Sequence, residues 1–276
     1  MNDTNLTFIG GGNMAASLIG GLIADGWNPA HIRVADNSPE RLQHLSQRFP
    51  ISTSTDNREA ADQSSVIVLA VKPQVMQDVT RELADLMTAQ QPLVISIAAG
   101  IPAAALANWL GQATAIVRTM PNTPAMVQSG ATALYANEHV NEEQRSIAES
   151  ILRAVGVAIW VDDEAQMDAV TALSGSGPAY FFLFMEALQA AGEELGLPQE
   201  TARLLALQTA FGAAKMALES NEDATTLRHQ VTSPGGTTEH AIRTFQEGAL
   251  EALVSKALLA AARRSRELAS EFGSTS

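Results

Sequence analysis

The chain contains no cysteine in its 276 residues. That absence excludes disulfides, thiolate metal sites and a cysteine nucleophile together, and it leaves the redox compartment open. Histidine is scarce: His31, His44, His139, His229 and His240 are the five, and no pair has a metal-ligand spacing such as H-x-x-x-H, so no metal is expected. Basic residues do not balance acidic ones, with 17 Lys and Arg against 30 Asp and Glu and a formal net charge of −13. Such a chain repels phosphate backbones and anionic lipid, so neither nucleic acid nor membrane is an expected partner. Repeats and low-complexity tracts are missing. The start "MNDTNLTF" carries Asp3 and no basic segment, which does not suit a signal peptide. The longest apolar window, "PLVISIAAGIPAAALANWL" (92–110), is broken by Gly100 and Pro102, and reads as a buried strand followed by a new helix rather than a membrane span. A cytoplasmic protein is expected.

What is present suits a globular chain of two ordinary domains, with 46% hydrophobic and 17% charged residues. The first half alternates apolar runs with amphipathic helices. "LTFIG" precedes a helix from Met14, with Met14, Leu18 and Leu22 on one face. "IRVAD" precedes "SPERLQHLSQRF", where Ser38 is an N-cap candidate and Pro39 the first helical residue. "VIVLAV" leads to a helix from Pro73, "LVISIAAG" to a helix from Pro102, and "TAIVRTM" follows. Apolar runs without polar alternation predict strands buried on both faces of a mostly parallel sheet. After "AIWVDDE" (158–164) the strands stop, and helices are expected over 178–195, 198–219, 225–230, 238–247 and 249–271. The expected division is therefore a Rossmann-type α/β domain, 1–163, and an all-helical domain, 164–276, with "EFGSTS" as a frayed tail.

Between the first strand and the first helix stands Gly10-x-Gly12-x-x-Ala15, the dinucleotide fingerprint in its alanine-ending form. Gly10 makes the tight turn, Gly12 lets a pyrophosphate approach the backbone, and Ala15 permits close helix–strand packing. The second strand ends at Asp36, followed by Asn37 and Ser38. An acidic residue there accepts from the ribose 2′-hydroxyl of NAD, whereas Asn37, Ser38 and Arg41 suit a 2′-phosphate, so the cofactor is NADPH or NADH. Lys72, in "AVKP", ends a strand at the edge where open α/β folds bind ligands, and reads equally as a solvated lysine. Lys215 reads as a snorkelling lysine, and His240 as a surface helix residue.

In the second half, "VTALSGSGPAYFF" (170–182) and "VTSPGGTTEHAI" (231–242) gather glycines and hydroxyls at helix starts. Pro234, Gly235 and Gly236 expose backbone N–H groups before Thr238, a ready anion site suited to a substrate carboxylate. Two flexible helix connections are the alternative. Glu164 opens the helical half, facing a cleft or capping a helix.

With "FIGGGNMA", "AVKP", "SIAAG", "RTMPNTP", "LSGSGPAY" and "SPGGTT" in this order, the chain closely resembles pyrroline-5-carboxylate reductase over essentially its whole length. The resemblance implies reduction of the cyclic imine 1-pyrroline-5-carboxylate to L-proline with NADPH or NADH, the last step of proline biosynthesis. It also implies a homodimer through interlocking helical domains, often within a larger ring. By resemblance, Ile9, Gly10, Gly11, Gly12, Asn13 and Met14 form the phosphate loop. Asn57 lies near the adenosine; Ala70, Val71, Lys72 and Pro73 line the dinucleotide; Ala98 and Ala99 stand beside the nicotinamide. Ser233, Gly235, Gly236 and Thr237 form the substrate turn, in which Thr237 stands where many members have alanine. Glu164 and Thr238 match substrate contacts, with the Thr238 hydroxyl at the ring nitrogen as the catalytic group. Two other readings stay open: a β-hydroxyacid dehydrogenase, whose lysine is met here by Thr171 and Ser174, and a non-catalytic dinucleotide-binding protein.

Overall fold

The computed structural model describes residues 4–273. The reading of residues 1–3, and that of the last three residues of the "EFGSTS" tail, lie outside them. The strands are β1 (Leu6–Ile9), β2 (Ile32–Ala35), β3 (Ser52–Ser54), β4 (Val66–Leu69), β5 (Leu93–Ser96), β6 (Ile116–Met120), β7 (Gly130–Ala136) and β8 (Gly156–Trp160). They form one sheet in the order β3-β2-β1-β4-β5-β6-β7-β8. All neighbours from β3 to β6 are parallel, β7 runs antiparallel to β6, and β8 is parallel to β7. The helices among them are α1 (Asn13–Ala24), α2 (Pro39–Arg48), α3 (Asn57–Ala61), α4 (Pro73–Gln90), α5 (Ala103–Leu110) and α6 (Glu142–Arg153).

The apolar strands divide their side chains between two cores, as a period of two requires. Leu6, Phe8, Val34, Val68 and Ile95 pack on one face with Leu18 and Leu22 of α1, Leu45 of α2 and Ile151 of α6. Ile9, Ile67, Leu69 and Val94 pack on the other with Met76 and Leu83 of α4 and Leu106 of α5. Ser38 caps α2, its Oγ accepting from the Arg41 N–H at 3.3 Å, ahead of Pro39. The window 92–110 divides into β5 and α5, and among the described residues no helix is long and apolar enough to cross a membrane.

Four elements have no counterpart in the apolar pattern: β3, α3, β7 and α6. β3 is three polar residues at the sheet edge, and β7, "GATALYA", carries few large apolar side chains. Neither gives the signal of a strand buried on both faces.

The chain forms two compact units. The first comprises the residues up to Ser176 with those from Ala260 on, and the second is Gly177–Leu259. The first thus extends past the expected boundary at 163. The reason is that α7 (Gln166–Val170) and the π-helical turn Thr171–Gly175 are tied into it: Met167 and Ala172 are buried, and Asp168 accepts from Ser265 Oγ at 2.6 Å.

The second unit contains α8 (Gly177–Glu194), α9 (Gln199–Glu219), α10 (Ala224–Gln230), α11 (Thr237–Glu247) and the start of α12 (Leu250–Gly273). Each lies within one or two residues of expectation. Only Gly177, Ala202 and Ala206 are buried among its described residues. Phe181, Phe182, Phe184, Leu188, Leu204, Leu205, Leu207 and Phe211 are exposed, and Met185 is half-buried. So many large apolar side chains on one small unit require a partner surface. The chain should therefore be at least a dimer at micromolar concentration by light scattering. Replacing Phe181 and Phe211 by Glu should yield monomers, and a parent that is a stable monomer would contradict this reading.

Candidate functional site

The glycine corner is built at the C-terminal ends of β1, β2 and β4. Gly10 has φ +103, and a Cβ there would lie 2.6 Å from the Ala70 carbonyl oxygen, so a side chain is excluded by both strain and contact. The Gly10 N–H bonds to Ala35 O at 2.7 Å, and the Ala70 N–H to Ile9 O at 2.8 Å. Gly12 is the N-cap of α1, and a Cβ there would meet nothing within 4 Å. Its missing side chain therefore leaves space in front of a helix N-terminus, the geometry that admits a pyrophosphate.

Asp36 behaves differently from the sequence expectation. Its carboxylate, only 4% exposed, accepts from the Gly11 N–H at 2.7 Å, the Ser38 N–H at 2.9 Å and Arg41 Nη1 at 2.8 and 2.9 Å. Burial opposes ionisation of this group, but the two backbone N–H groups and Arg41 outweigh it and hold the carboxyl below its ordinary 3.8. Asp36 thus braces the glycine corner with oxygens already engaged, so a ribose hydroxyl would have to compete for them. Arg41, half exposed, stands at the rim.

A cleft of ≈ 580 Å³ opens beside this corner. Of the residues expected at the cofactor, Gly10, Gly12, Asn13, Asp36, Asn37, Asn57, Ala70, Val71 and Lys72 line it. Ile9, Gly11, Met14, Ser38, Pro73, Ala98 and Ala99 are not part of its lining; Ile9 and Gly11 are buried beneath the turn. Asn57 begins α3 and donates to Glu82 Oε2 at 3.0 Å. Lys72 is exposed as the N-cap of α4. Arg41 also lines the cleft, and Ala35, Thr55, Val75 and Val79 complete the wall and were missed, because nothing in their local sequence separates them from ordinary strand, loop and helix residues.

The glycines and hydroxyls of "LSGSG" form a compact turn. It coils as a π-helical turn in which Ser176 N–H bonds to Thr171 O at 2.8 Å, and its Ser174 carbonyl accepts from Asn122 Nδ2 at 3.1 Å. Asn122 Oδ1 also accepts from the Ala131 N–H at 2.9 Å, so "MPN" and "LSGSG" are joined by one amide. Thr171 and Ser174 donate their hydroxyls to Met167 O and Val170 O, at 2.7 and 3.1 Å. They therefore do not replace the lysine of a hydroxyacid dehydrogenase.

In the helical unit, Gly236 is the N-cap of α11, and Thr237 and Thr238 form its first turn. The Gly235 N–H is 2.8 Å from Glu239 Oε2, so this turn holds a carboxylate. His240 lies exposed against Arg243, and Lys215 pairs with Glu219 in solvent rather than snorkelling. Glu164, expected at the substrate, is tied into the sheet unit. Its Oε1 accepts from the Ala103 N–H at 2.7 Å and from Arg118 Nη1 at 2.8 Å. Arg118 was missed; a lone charge inside the apolar strand "TAIVRTM" was its signal.

Residues 164–268 match the family model described as pyrroline-5-carboxylate reductase dimerisation, and residues 5–100 match one described as NADP oxidoreductase, coenzyme F420-dependent. The chain is 54% identical to a pyrroline-5-carboxylate reductase of Pseudomonas aeruginosa over 99% of its own length and 100% of the relative. A solved pyrroline-5-carboxylate reductase from Coxiella burnetii is 51% identical, with TM-score 0.93 over 96% of this chain and 98% of that one. A solved pyrroline carboxylate reductase from Plasmodium falciparum with NADP bound is 29% identical, with TM-score 0.86 over 98% and 99% of the two chains.

The open space at Gly12 yields a direct test. Gly12→Val should fold normally, since nothing opposes its Cβ, yet fill the place of the pyrophosphate. NAD(P)H affinity, measured by fluorescence titration, should fall at least roughly tenfold at unchanged melting temperature. Parent-like affinity would remove the corner from the binding site.

Proposed function

The chain belongs to the pyrroline-5-carboxylate reductase family, and from that premise we propose the reaction and the residues that perform it. The enzyme reduces 1-pyrroline-5-carboxylate to L-proline, the last step of proline biosynthesis, with NADPH or NADH. When bound, the nicotinamide cofactor supplies the hydride. The residues present suit it: a side-chain-free Gly12 before α1, a cleft of ≈ 580 Å³ and the small residues Ala70 and Val71 along its wall.

Adding hydrogen across C=N needs a hydride at carbon and a proton at nitrogen. A protonated imine carries its own proton, so a site without a histidine base is adequate. The protein's task is to grip the carboxylate and orient the ring. We assign the carboxylate to the turn Ser233, Gly235, Gly236 and Thr237, and the ring nitrogen to the Thr238 hydroxyl. The observation behind this assignment is the Gly235 N–H, which already holds the carboxylate of Glu239. The same proposal includes a cytoplasmic enzyme and a homodimer through the helical domain, assembled into a larger ring. The exposed apolar faces of α8 and α9 support the dimer.

The engagement of Asp36 and the exposure of Arg41 support NADPH over NADH. A guanidinium at the rim is a bidentate partner for a 2′-phosphate. Arg41→Ala should raise the KM for NADPH roughly tenfold or more and change that for NADH little, because it removes a charge-assisted bond that only the phosphate makes. Equal loss toward both cofactors would assign Arg41 to bracing Asp36 alone.

The role of Thr238 is tested against its neighbour. Thr238→Ala should lower kcat by about 10²-fold or somewhat less, as loss of one hydrogen bond to a developing charge does, with cofactor affinity near that of the parent. Thr237→Ala should do little. A capping role would instead lower stability by roughly 1 kcal/mol and spare kcat. Activity of Thr238→Ala equal to the parent rejects the hydroxyl's role.

A further inference from the structure

Residues 97–102 connect β5 to α5 at the C-terminal edge of the sheet. The cleft beside β2 takes the adenosine half of a dinucleotide, and β1 carries the phosphate corner. The reacting half then extends past β4 toward β5. This loop is made of small residues at that point: Ala98 and Gly100 are buried, and Ala99 is half-exposed. These small residues would place a reacting ring by their backbone, while Ile101, fully buried in the core, anchors the far side of the loop.

Three hydrogen bonds add to that burial in setting its position. The Ile97 N–H bonds to Leu69 O at 3.2 Å, and Thr119 Oγ1 donates to Ser96 O at 3.0 Å, fixing the start. The end is fixed by Glu164, whose Oε1 accepts from the Ala103 N–H at 2.7 Å. α5 has Pro102 as its N-cap, with no side-chain cap bond of its own. A carboxylate from 61 residues away in the chain serves in that place. The same oxygen pairs with Arg118, 7% exposed on β6, while Glu164 is 24% exposed. An arginine so buried has a strong need for its counter-charge, which keeps Glu164 directed at Ala103.

We propose that Glu164 is a positioning residue for hydride transfer: with Arg118 it locks the start of α5 and hence the loop 97–102 beside the reacting ring. This rests on the reductase reading above. It replaces the substrate contact that resemblance suggested for Glu164.

The test uses the full chain with NADPH and 1-pyrroline-5-carboxylate. Steady-state constants, the primary deuterium isotope effect from 4-deuterated NADPH, and melting temperature are measured for Glu164→Ala, Glu164→Gln and Arg118→Met. Misplacement by a fraction of an ångström to one ångström costs up to roughly 10²-fold. Glu164→Ala should lose about tenfold to a hundredfold in kcat, with a larger isotope effect and a KM for the imine within about twofold of the parent. Arg118→Met should shift the same quantities less. Glu164→Gln, which keeps an oxygen for the Ala103 N–H, should recover most of kcat. If Glu164→Ala does not fold, the pair Arg118→Met and Glu164→Gln still gives this order or breaks it. A raised KM at parental kcat would make Glu164 a substrate contact and overturn the inference. So would a fall in melting temperature with kcat and isotope effect unmoved. A parent inactive on the imine overturns the reductase reading itself, whereas an active parent with an indifferent Glu164→Ala overturns this inference alone.

Discussion

The cleft depends on a contact with no room in it. A Cβ on Gly10 would stand 2.6 Å from the carbonyl oxygen of Ala70, and the backbone there has φ +103. Only a hydrogen fits, so the end of β1 lies directly against the end of β4 while its N–H reaches Ala35 at the end of β2. Three strand ends therefore meet at one residue, at the point where the strand order reverses. α1 begins three residues beyond the meeting point, with Gly12 as its N-cap, so its first-turn N–H groups lie beside it. A larger residue at Gly10 would separate the strands and turn the helix away.

The fold uses one electrostatic device twice around this opening. Asp36 and Glu164 each accept a backbone N–H at the start of a turn or helix while pairing with an arginine. In both, the carboxylate satisfies a donor that its own segment leaves unpaired, and the arginine compensates the charge. The difference lies in the cation. Arg41 is half exposed at the rim of the cleft, whereas Arg118 is enclosed.

The two units differ as strongly in how they are stabilised. The sheet unit has an apolar core on each face. The helical unit has almost no interior, because its helices direct their phenylalanines and leucines outward. Burial of apolar area is the main favourable term in folding, so a unit of this kind gains its stability from association. The match of residues 164–268 to a dimerisation family accords with that physics.

Much of this was legible along the chain. Buried parallel strands appear as uninterrupted apolar runs, helix starts carry Ser38 or proline, and the Gly10-x-Gly12 turn is a local chemical necessity, so each is written in consecutive residues. β3 and β7 were not legible, since β3 is a short polar edge strand and β7 is built mostly of small residues, so neither makes an apolar run. The conformation of "LSGSG" was not legible for a related reason. Small residues permit both an open anion turn and a tight π turn, and Asn122 and Met120, some 50 residues earlier, select the second. Charged residues divided in the same way. The sequence by itself determined that Asp36 stands at the end of β2 and Glu164 after β8, because strand length and order follow from local pattern. Only the tertiary structure decided that their oxygens accept from Gly11 and Ala103, because a carboxylate's partner is whichever donor the fold brings within hydrogen-bonding reach, and sequence distance carries no information about that.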